Sequence, residues 1–219
     1  MNKTTKILAF LLSVLLAATL LCACESTEEK YAALAGTWIM YEQDSEEQVM
    51  VLLESIDLYE EEIALVDKTS LRYAWIFEFD TAGNIRQAQP VEENKALVRE
   101  FYEGMFDAFF DGRASLDDLY EDDLSSMNQD EFKLFYAELY GFDTFEALLD
   151  QFVQNAYVYD EWTDLRNGTF TFDSNRLSII DSVEGENGLP SSYSIIYKLE
   201  GDTLTLTYSD GVEVYTRVR

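Results

Sequence analysis

Cys24 is the residue whose type and position most clearly point to chemistry. Ala23 and Cys22 stand at −1 and −2 before it, and Leu21 stands at −3, so small residues and one apolar residue precede the thiol. Covalent attachment of lipid needs a thiolate nucleophile that the processing enzymes can reach at the membrane surface. Cys22 fits this chemistry less well, because Leu21 would then stand at −1. The sequence therefore predicts that Cys24 is lipidated.

The segment before Cys24 explains how the thiol would reach a membrane. Lys3 and Lys6 precede an apolar stretch at 7–21, which is too short for a comfortable membrane span of ~20 residues. A basic start, an apolar middle and small residues before a cysteine have the layout of a bacterial lipoprotein signal. We expect a signal peptide at 1–23 and a lipidated tether at 24–35, with ordered structure beginning near Gly36. An ordinary secretory signal is the alternative.

The charge of the chain limits its partners. There are 43 Asp and Glu residues against 15 Lys and Arg, which gives a net charge of −28. Removal of Lys3 and Lys6 with the signal lowers this by two, to −30. Such a charge repels nucleic acid and anionic headgroups, so we expect no nucleic-acid partner. Attachment to the extracytoplasmic face of the cell membrane must then depend on the acyl chains on Cys24.

The scarcity of histidine and cysteine excludes several kinds of catalytic and metal site. The chain has no histidine and two cysteines. Ser-His-Asp and Cys-His mechanisms and histidine metal ligation are therefore excluded. Cys22 would leave with the signal and Cys24 would carry lipid, so no thiol remains for a disulfide, a zinc site or a nucleophile. We expect no catalytic residue, no metal and no cofactor, and a protein that is not an enzyme.

Carboxylates are the one abundant chemical group. Two of them at a suitable separation can hydrolyse a glycoside, which leaves a carboxylate-based hydrolase as a third alternative. With 43 carboxylates, pairs arise by chance, and clusters such as Glu60–Glu62 are typical of solvated faces. The segment from Asp107 to Asp118 superficially matches a calcium loop, but Phe109 stands where an oxygen ligand is needed. We interpret it as the end of an aromatic helix.

Apolar alternation predicts eight strands. The clearest run is apolar at every second position: Leu71, Tyr73, Trp75, Phe77 and Phe79. A first strand begins at Gly36, a third returns over 85–88, and five more follow between Gly168 and Val218. Hairpin connections imply antiparallel pairing, and eight strands can close into a barrel. The predicted class is α+β, mainly antiparallel β.

Helical spacing interrupts this pattern twice. A helix is predicted after strand 1, capped by Ser45, with an apolar stripe that runs on to Ile63. A larger helical insertion is predicted at 91–160, between strands 3 and 4. Its aromatic residues form stripes that predict a core, while a cofactor pocket or a protein-binding face are the alternatives.

The two ends of the barrel sequence resemble a known family. Gly36-Thr37-Trp38 resembles the Gly-x-Trp signature of lipocalins, and Arg217 resembles the arginine that packs across that tryptophan. The run from Gly168 to Arg217 is similar to the C-terminal half of bacterial lipocalin-like lipoproteins. The resemblance covers about 36–42, 71–88 and 168–218. It implies a lipocalin-like barrel domain at 36–219, in which Trp38 and Arg217 plug one barrel end.

The aromatic residues of the predicted strands suggest a ligand. Six aromatic residues are expected to face the barrel interior: Tyr73, Trp75, Phe77, Tyr193, Tyr197 and Tyr208. Such an interior suits a small apolar or aromatic ligand, although small eight-stranded barrels can also be filled by their own side chains. The leading interpretation is a membrane-anchored binding or scaffolding lipoprotein. A protein-interaction module that uses the helical insertion is the alternative.

Overall fold

The computed structural model describes residues 26–156, 164–184 and 190–219. Eight strands form a closed antiparallel barrel in which neighbours follow chain order, as the sequence predicted. The strands are: β1 Gly36–Gln43, β2 Arg72–Phe79, β3 Asn84–Ala88, β4 Asp164–Asp173, β5 Arg176–Glu184, β6 Pro190–Glu200, β7 Thr203–Thr207 and β8 Val212–Arg217. The loop at 185–189 and the signal segment with Cys24 lie outside the described residues.

Six helices accompany these strands in the described part of the chain: α1 Thr27–Leu34, α2 Glu46–Glu54, α3 Glu60–Leu65, α4 Val91–Gly112, α5 Gln129–Leu139 and α6 Phe145–Ala156. Short 3₁₀ turns at 113–115, 117–119 and 124–126 connect α4 to α5. None of the helices within the described ranges is long and apolar enough to cross a bilayer. Residues 157–160 of the predicted insertion lie outside these ranges.

The chain divides into two compact units. The first contains the described residues up to Thr37 together with Glu78–Arg86 and Arg166–Arg219. The second contains Trp38–Phe77 and Gln87–Leu165, which include α2 to α6. Each unit has its own buried residues.

The strand register of the first unit is seen most clearly in its C-terminal hairpins. Tyr197 pairs with Leu206, and Leu204 pairs with Tyr215 in the next hairpin. Leu204 and Tyr215 point to the same side of the sheet because they are paired, Leu206 shares that side two residues along β7, and all three are fully buried. The Val218 N–H donates to the Thr37 carbonyl at 2.9 Å, which links the end of β8 to the start of β1.

A helix replaces much of the predicted tether, so ordered structure does not begin near Gly36. The Ser26 hydroxyl accepts the Glu29 N–H at 3.2 Å, and the Glu29 carboxylate accepts the Ser26 N–H at 2.8 Å. This capping box satisfies two N–H groups at the start of α1. Leu34, at the other end, is fully buried. The prediction that ordered structure begins near Gly36 was wrong, because polar residues that looked like a linker form the start of a helix.

An aromatic core holds the second unit together. Phe106 lies in the middle of α4 and contacts rings from α5 and α6, with centroid separations of 5.3 Å to Tyr136 and 5.0 Å to Phe145. Both contacts are edge-to-face, the geometry that aromatic quadrupoles favour. Phe109 and Phe132 are also fully buried. The aromatic stripes of the insertion therefore form a core.

The helix predicted after strand 1 is broken into two. Ser45 caps α2 as expected, accepting the Gln48 N–H at 3.2 Å. The helix ends at Glu54, and Asp57 adopts a left-handed conformation with φ +54°. The apolar spacing predicted one continuous helix up to Ile63, but a residue in the left-handed conformation cannot continue a right-handed helix.

One amide side chain extends the sheet where β3 has ended. Asn94, fully buried on α4, accepts the Ala74 N–H at 2.6 Å and donates to the Ala74 carbonyl at 3.2 Å. A neighbouring strand would make the same pair of bonds to β2. Asn94 therefore fixes the first turns of α4 against β2.

Candidate functional site

A pocket of about 660 Å³ lies between two hairpins of the first unit. One wall comes from the β2–β3 hairpin and the other from β4 and β5. The lining residues are: Glu78, Phe79, Asp80, Asn84, Ile85, Arg86, Asn167, Gly168, Thr169, Ile180, Asp181 and Ser182. The pocket therefore follows the seam at which β3 meets β4.

Both faces of the strands contribute to this pocket. Phe79 and Ile85 are each 4% exposed and supply apolar surface, whereas Ile180 is half exposed. A Cβ on Gly168 would lie only 2.3 Å from the Ile180 carbonyl oxygen, closer than real contacts allow. Glycine is thus required for the close approach of β4 and β5 beside the pocket.

The rim of the pocket consists of polar side chains, most of which form hydrogen bonds with nearby residues. Arg86 bonds Glu78 across the hairpin at 3.3 Å. Asp80 accepts the Asn84 side-chain amide at 2.6 Å, and this bond, with backbone N–H donors in the turn, lowers the pKa of the Asp80 carboxyl. Asp181, 7% exposed, accepts the Ser191 hydroxyl at 2.7 Å. An apolar floor with such a rim can hold and orient a small molecule.

The aromatic residues predicted to face a ligand are placed elsewhere. Phe77 is fully buried, and the other five are partly buried. Tyr197 lines a smaller pocket of about 280 Å³ with Lys30 and Asn175 among its neighbours. None of the six lines the 660 Å³ pocket. Their role toward a ligand stays a prediction, and the seam offers a site that the sequence did not indicate.

The structure shows the burial of Trp38 and the hydrogen bonds of Arg217, the two residues of the predicted barrel plug. Trp38 is fully buried. The Arg217 guanidinium donates to the Ala35 carbonyl at 2.7 Å and also to the Ala33 carbonyl, at the end of α1. A Cβ on Gly36 would lie 3.2 Å from Arg217 Nη1, and Gly36 has φ +132°. The glycine of the Gly-x-Trp motif therefore leaves room for the arginine. Cys24 lies outside the described residues.

A carboxyl group buried in the second unit was missed by the sequence analysis, which placed Glu60–Glu62 on a solvated face. Glu62 is 1% exposed. Its Oε1 atom accepts the Tyr120 hydroxyl at 2.7 Å and the Tyr136 hydroxyl at 2.5 Å, and Oε2 accepts the Tyr59 N–H at 2.9 Å. Burial, and next the bond to Glu62, raise the pKa of both phenols. The available signal was the position of Glu62, three residues after Tyr59 and next to Ile63, in the apolar stripe of the predicted helix.

An acidic cleft of about 490 Å³ lies in the second unit near α4, α5 and α6. Five carboxylates and one lysine are among its lining residues: Glu103, Asp107, Asp130, Asp143, Glu146 and Lys133. Asp107 lies 3.5 Å from Lys133, while Glu103 and Glu146 bond Arg99. Glu146 thereby joins α6 to α4, and Asp107 joins α4 to α5, whereas the Glu103 bond lies within α4. Within the described ranges, no group of three or more acidic or cysteine side chains is arranged to hold a metal ion.

The chain was compared with known protein families, curated proteins and solved structures. No protein-family model, curated protein or solved structure matches this chain.

Proposed function

We propose that this protein is a lipid-anchored, extracytoplasmic lipoprotein whose lipocalin-like barrel binds a small apolar or aromatic ligand without catalysing a reaction. The observation that carries the proposal is the 660 Å³ pocket at the seam between the β2–β3 hairpin and β4–β5. Its volume falls within the ~300–1,000 Å³ range of small-molecule sites. Phe79 and Ile85 would contact the apolar body of the ligand.

The anchor is supported by the sequence around Cys24 and by the charge of the chain. A domain of charge −30 gains nothing from an anionic bilayer, so a covalent lipid is the attachment that its composition permits. The Gly-x-Trp segment and Arg217 support the lipocalin-like assignment. Gly36 leaves room for the Arg217 guanidinium at the start of β1.

Nile red, a neutral aromatic fluorophore, tests the pocket directly. The chain from Ser26 onward is titrated with the dye, and saturable enhancement of its fluorescence is expected. Ser182→Trp places an indole in the pocket from an exposed strand position. This variant is expected to weaken binding by about tenfold or more, which corresponds to a loss of ~1.4 kcal/mol.

Ser194→Trp is the matched control, because Ser194 is also an exposed strand serine but does not line the pocket. It should bind the dye as the unmodified chain does. Equal weakening by both substitutions would count against the seam, and a lack of saturable binding by the unmodified chain would remove the ligand-binding proposal.

The described structure gives less support to the alternatives. Among the described aromatic residues of the helical insertion, Phe101, Phe106 and Phe152 are buried and the remaining rings are buried or partly buried, which gives little support to an exposed aromatic protein-binding face. For a hydrolase, the strongest candidate cleft has three of its carboxylates held by Arg99 or Lys133. Ligand binding at the seam is therefore the function that the geometry supports best.

A further inference from the structure

We propose that the barrel end that carries α1 faces the lipid bilayer. This orientation rests on the proposed lipid anchor at Cys24 and specifies which surface of the first unit the anchor brings to the membrane. The occupant of that surface is the headgroup layer of the bilayer itself. Two features would set this orientation: a short connection from the lipid to α1 and a firm attachment of α1 to the barrel.

The connection is short. Only Glu25 stands between Cys24 and Ser26, the residue that caps α1. Consecutive Cα atoms are about 3.8 Å apart, so Ser26 lies within ~8 Å of the lipidated residue. A lipidated cysteine is held at the bilayer surface, because its acyl chains enter the hydrocarbon. The start of α1 is thereby held at the same surface.

The side chains of α1 attach it to β4. The Tyr31 hydroxyl donates to the Phe170 carbonyl at 3.1 Å, and its ring lies 5.1 Å from that of Phe170 and 4.9 Å from that of Phe172. Lys30 Nζ donates to the Ser174 carbonyl at 3.2 Å, in the turn between β4 and β5. These contacts fix one side of α1 on the barrel.

The end of α1 is attached to the last strand. The Arg217 guanidinium donates to the carbonyls of Ala33 and Ala35. Free carbonyls at a helix C-terminus carry partial negative charge, so a guanidinium there both satisfies and stabilises them. With contacts to β4 from its middle and to β8 from its C-terminal end, α1 cannot move away from the barrel without breaking both sets of bonds.

Two turns of the first unit lie at opposite ends of its strands and report orientation. The β4–β5 turn at Ser174 and Asn175 lies beside Lys30 of α1. The backbone of Asp202, between β6 and β7, accepts the Arg217 N–H at 2.9 Å and marks the same end. The turn that contains Asp210 lies beyond β7, a strand about 17 Å long at ~3.4 Å per residue.

Fluorophores on Asn175→Cys and Asp210→Cys would measure this orientation. Both positions are exposed, and the mature chain has no competing thiol when Cys22 is removed and Cys24 is lipidated. The lipidated full-length protein is placed in vesicles of phosphatidylethanolamine and phosphatidylglycerol that carry a nitroxide quencher on the headgroup. Quenching at position 175 should exceed that at position 210 by about twofold or more, given the ~17 Å strand between the two ends.

Co-flotation with the vesicles separates the two proposals. A lipidated chain that fails to float removes the anchor and overturns the orientation with it. A chain that floats but is quenched equally at both positions, or more strongly at 210, overturns the orientation alone.

Two further variants test the cause. A Gly-Ser linker of about ten residues inserted after Glu25 has a reach of ~17 Å, so the difference in quenching should be lost while flotation is retained. Arg217→Ala should reduce the difference by releasing the end of α1. Arg219→Ala is its control, because Arg219 is a neighbouring, exposed arginine that bonds Asp202. If the linker leaves the difference unchanged, the short tether does not set the orientation.

Discussion

The carboxyl group of Glu62 is enclosed by three donors. Two are phenols, from Tyr120 between α4 and α5 and from Tyr136 on α5, and the third is the Tyr59 N–H. Glu62→Ala would leave these donors without their acceptor, and a buried unsatisfied donor costs about 1–3 kcal/mol. We expect a loss of ~3–4 kcal/mol in the free energy of unfolding. Urea denaturation followed by far-UV circular dichroism measures it.

Glu61→Ala is the matched control for Glu62→Ala. Glu61 is the exposed neighbour in the same first turn of α3, so its substitution should change stability by less than ~0.5 kcal/mol. Tyr136→Phe removes one of the three donors and should cost about 1 kcal/mol. Similar stabilities for Glu62→Ala and Glu61→Ala would show that the network contributes little.

Alkaline pH should destabilise the second unit. Burial raises the pKa of Tyr102, Tyr120, Tyr136 and Tyr140 above the ordinary phenol value. Below the unfolded pKa of about 10 their contribution to stability is fully present, and it is lost as pH rises above that value. Tyrosinate absorbance and circular dichroism should change together above pH ~10. Complete titration of all 14 tyrosines with the fold intact would contradict this.

At the scale of elements, α4 contains a glycine whose substitution should increase the stability of the protein. Gly104 lies in the middle of this helix and is exposed, and a Cβ added to it would meet no neighbouring side chain or strand within 4 Å. Glycine in a helix interior costs about 1 kcal/mol relative to alanine. Gly104→Ala should therefore stabilise the protein by ~0.5–1 kcal/mol. The same urea titration measures it.

Gly112→Ala is the comparison for Gly104→Ala. A Cβ at Gly112 would lie 2.7 Å from a methyl carbon of Leu65, so this substitution forces a side chain to move. We expect it to be neutral or destabilising, although Gly112 lies in the same helix. An equal gain from both substitutions would mean that local contacts do not decide the effect.

Sequence patterns predicted the helices and strands that are specified by residues close together in the chain. The alternation from Leu71 to Phe79 predicted β2, and Ser45 was expected to cap a helix, as it does for α2 through the Gln48 N–H. The start of α1 was missed because its capping box, Ser26 with Glu29, lies in a stretch that reads as a polar linker. Its stability depends on distant partners such as Phe170 and Arg217.

At the scale of the whole molecule, closure of the barrel could be predicted but the pocket could not. Hairpin spacing fixes strand number and order, so eight antiparallel strands followed from turns and alternation. The seam depends on a backbone approach between Gly168 and Ile180 that no local pattern encodes. The burial of Glu62 likewise depends on phenols 58 and 74 residues away in the chain.

The net charge of the whole molecule also bears on the proposed attachment to a membrane. A charge of −30 opposes electrostatic adsorption, so attachment should depend on Cys24 and survive ~1 M salt, where charges are screened beyond about 3 Å. Cys24→Ser should abolish incorporation of labelled palmitate, whereas Cys22→Ser, two residues away, should leave it unchanged. Acyl labelling and vesicle flotation in high salt measure these outcomes. Release by salt, or labelling that follows Cys22, would show that a different contact holds the chain.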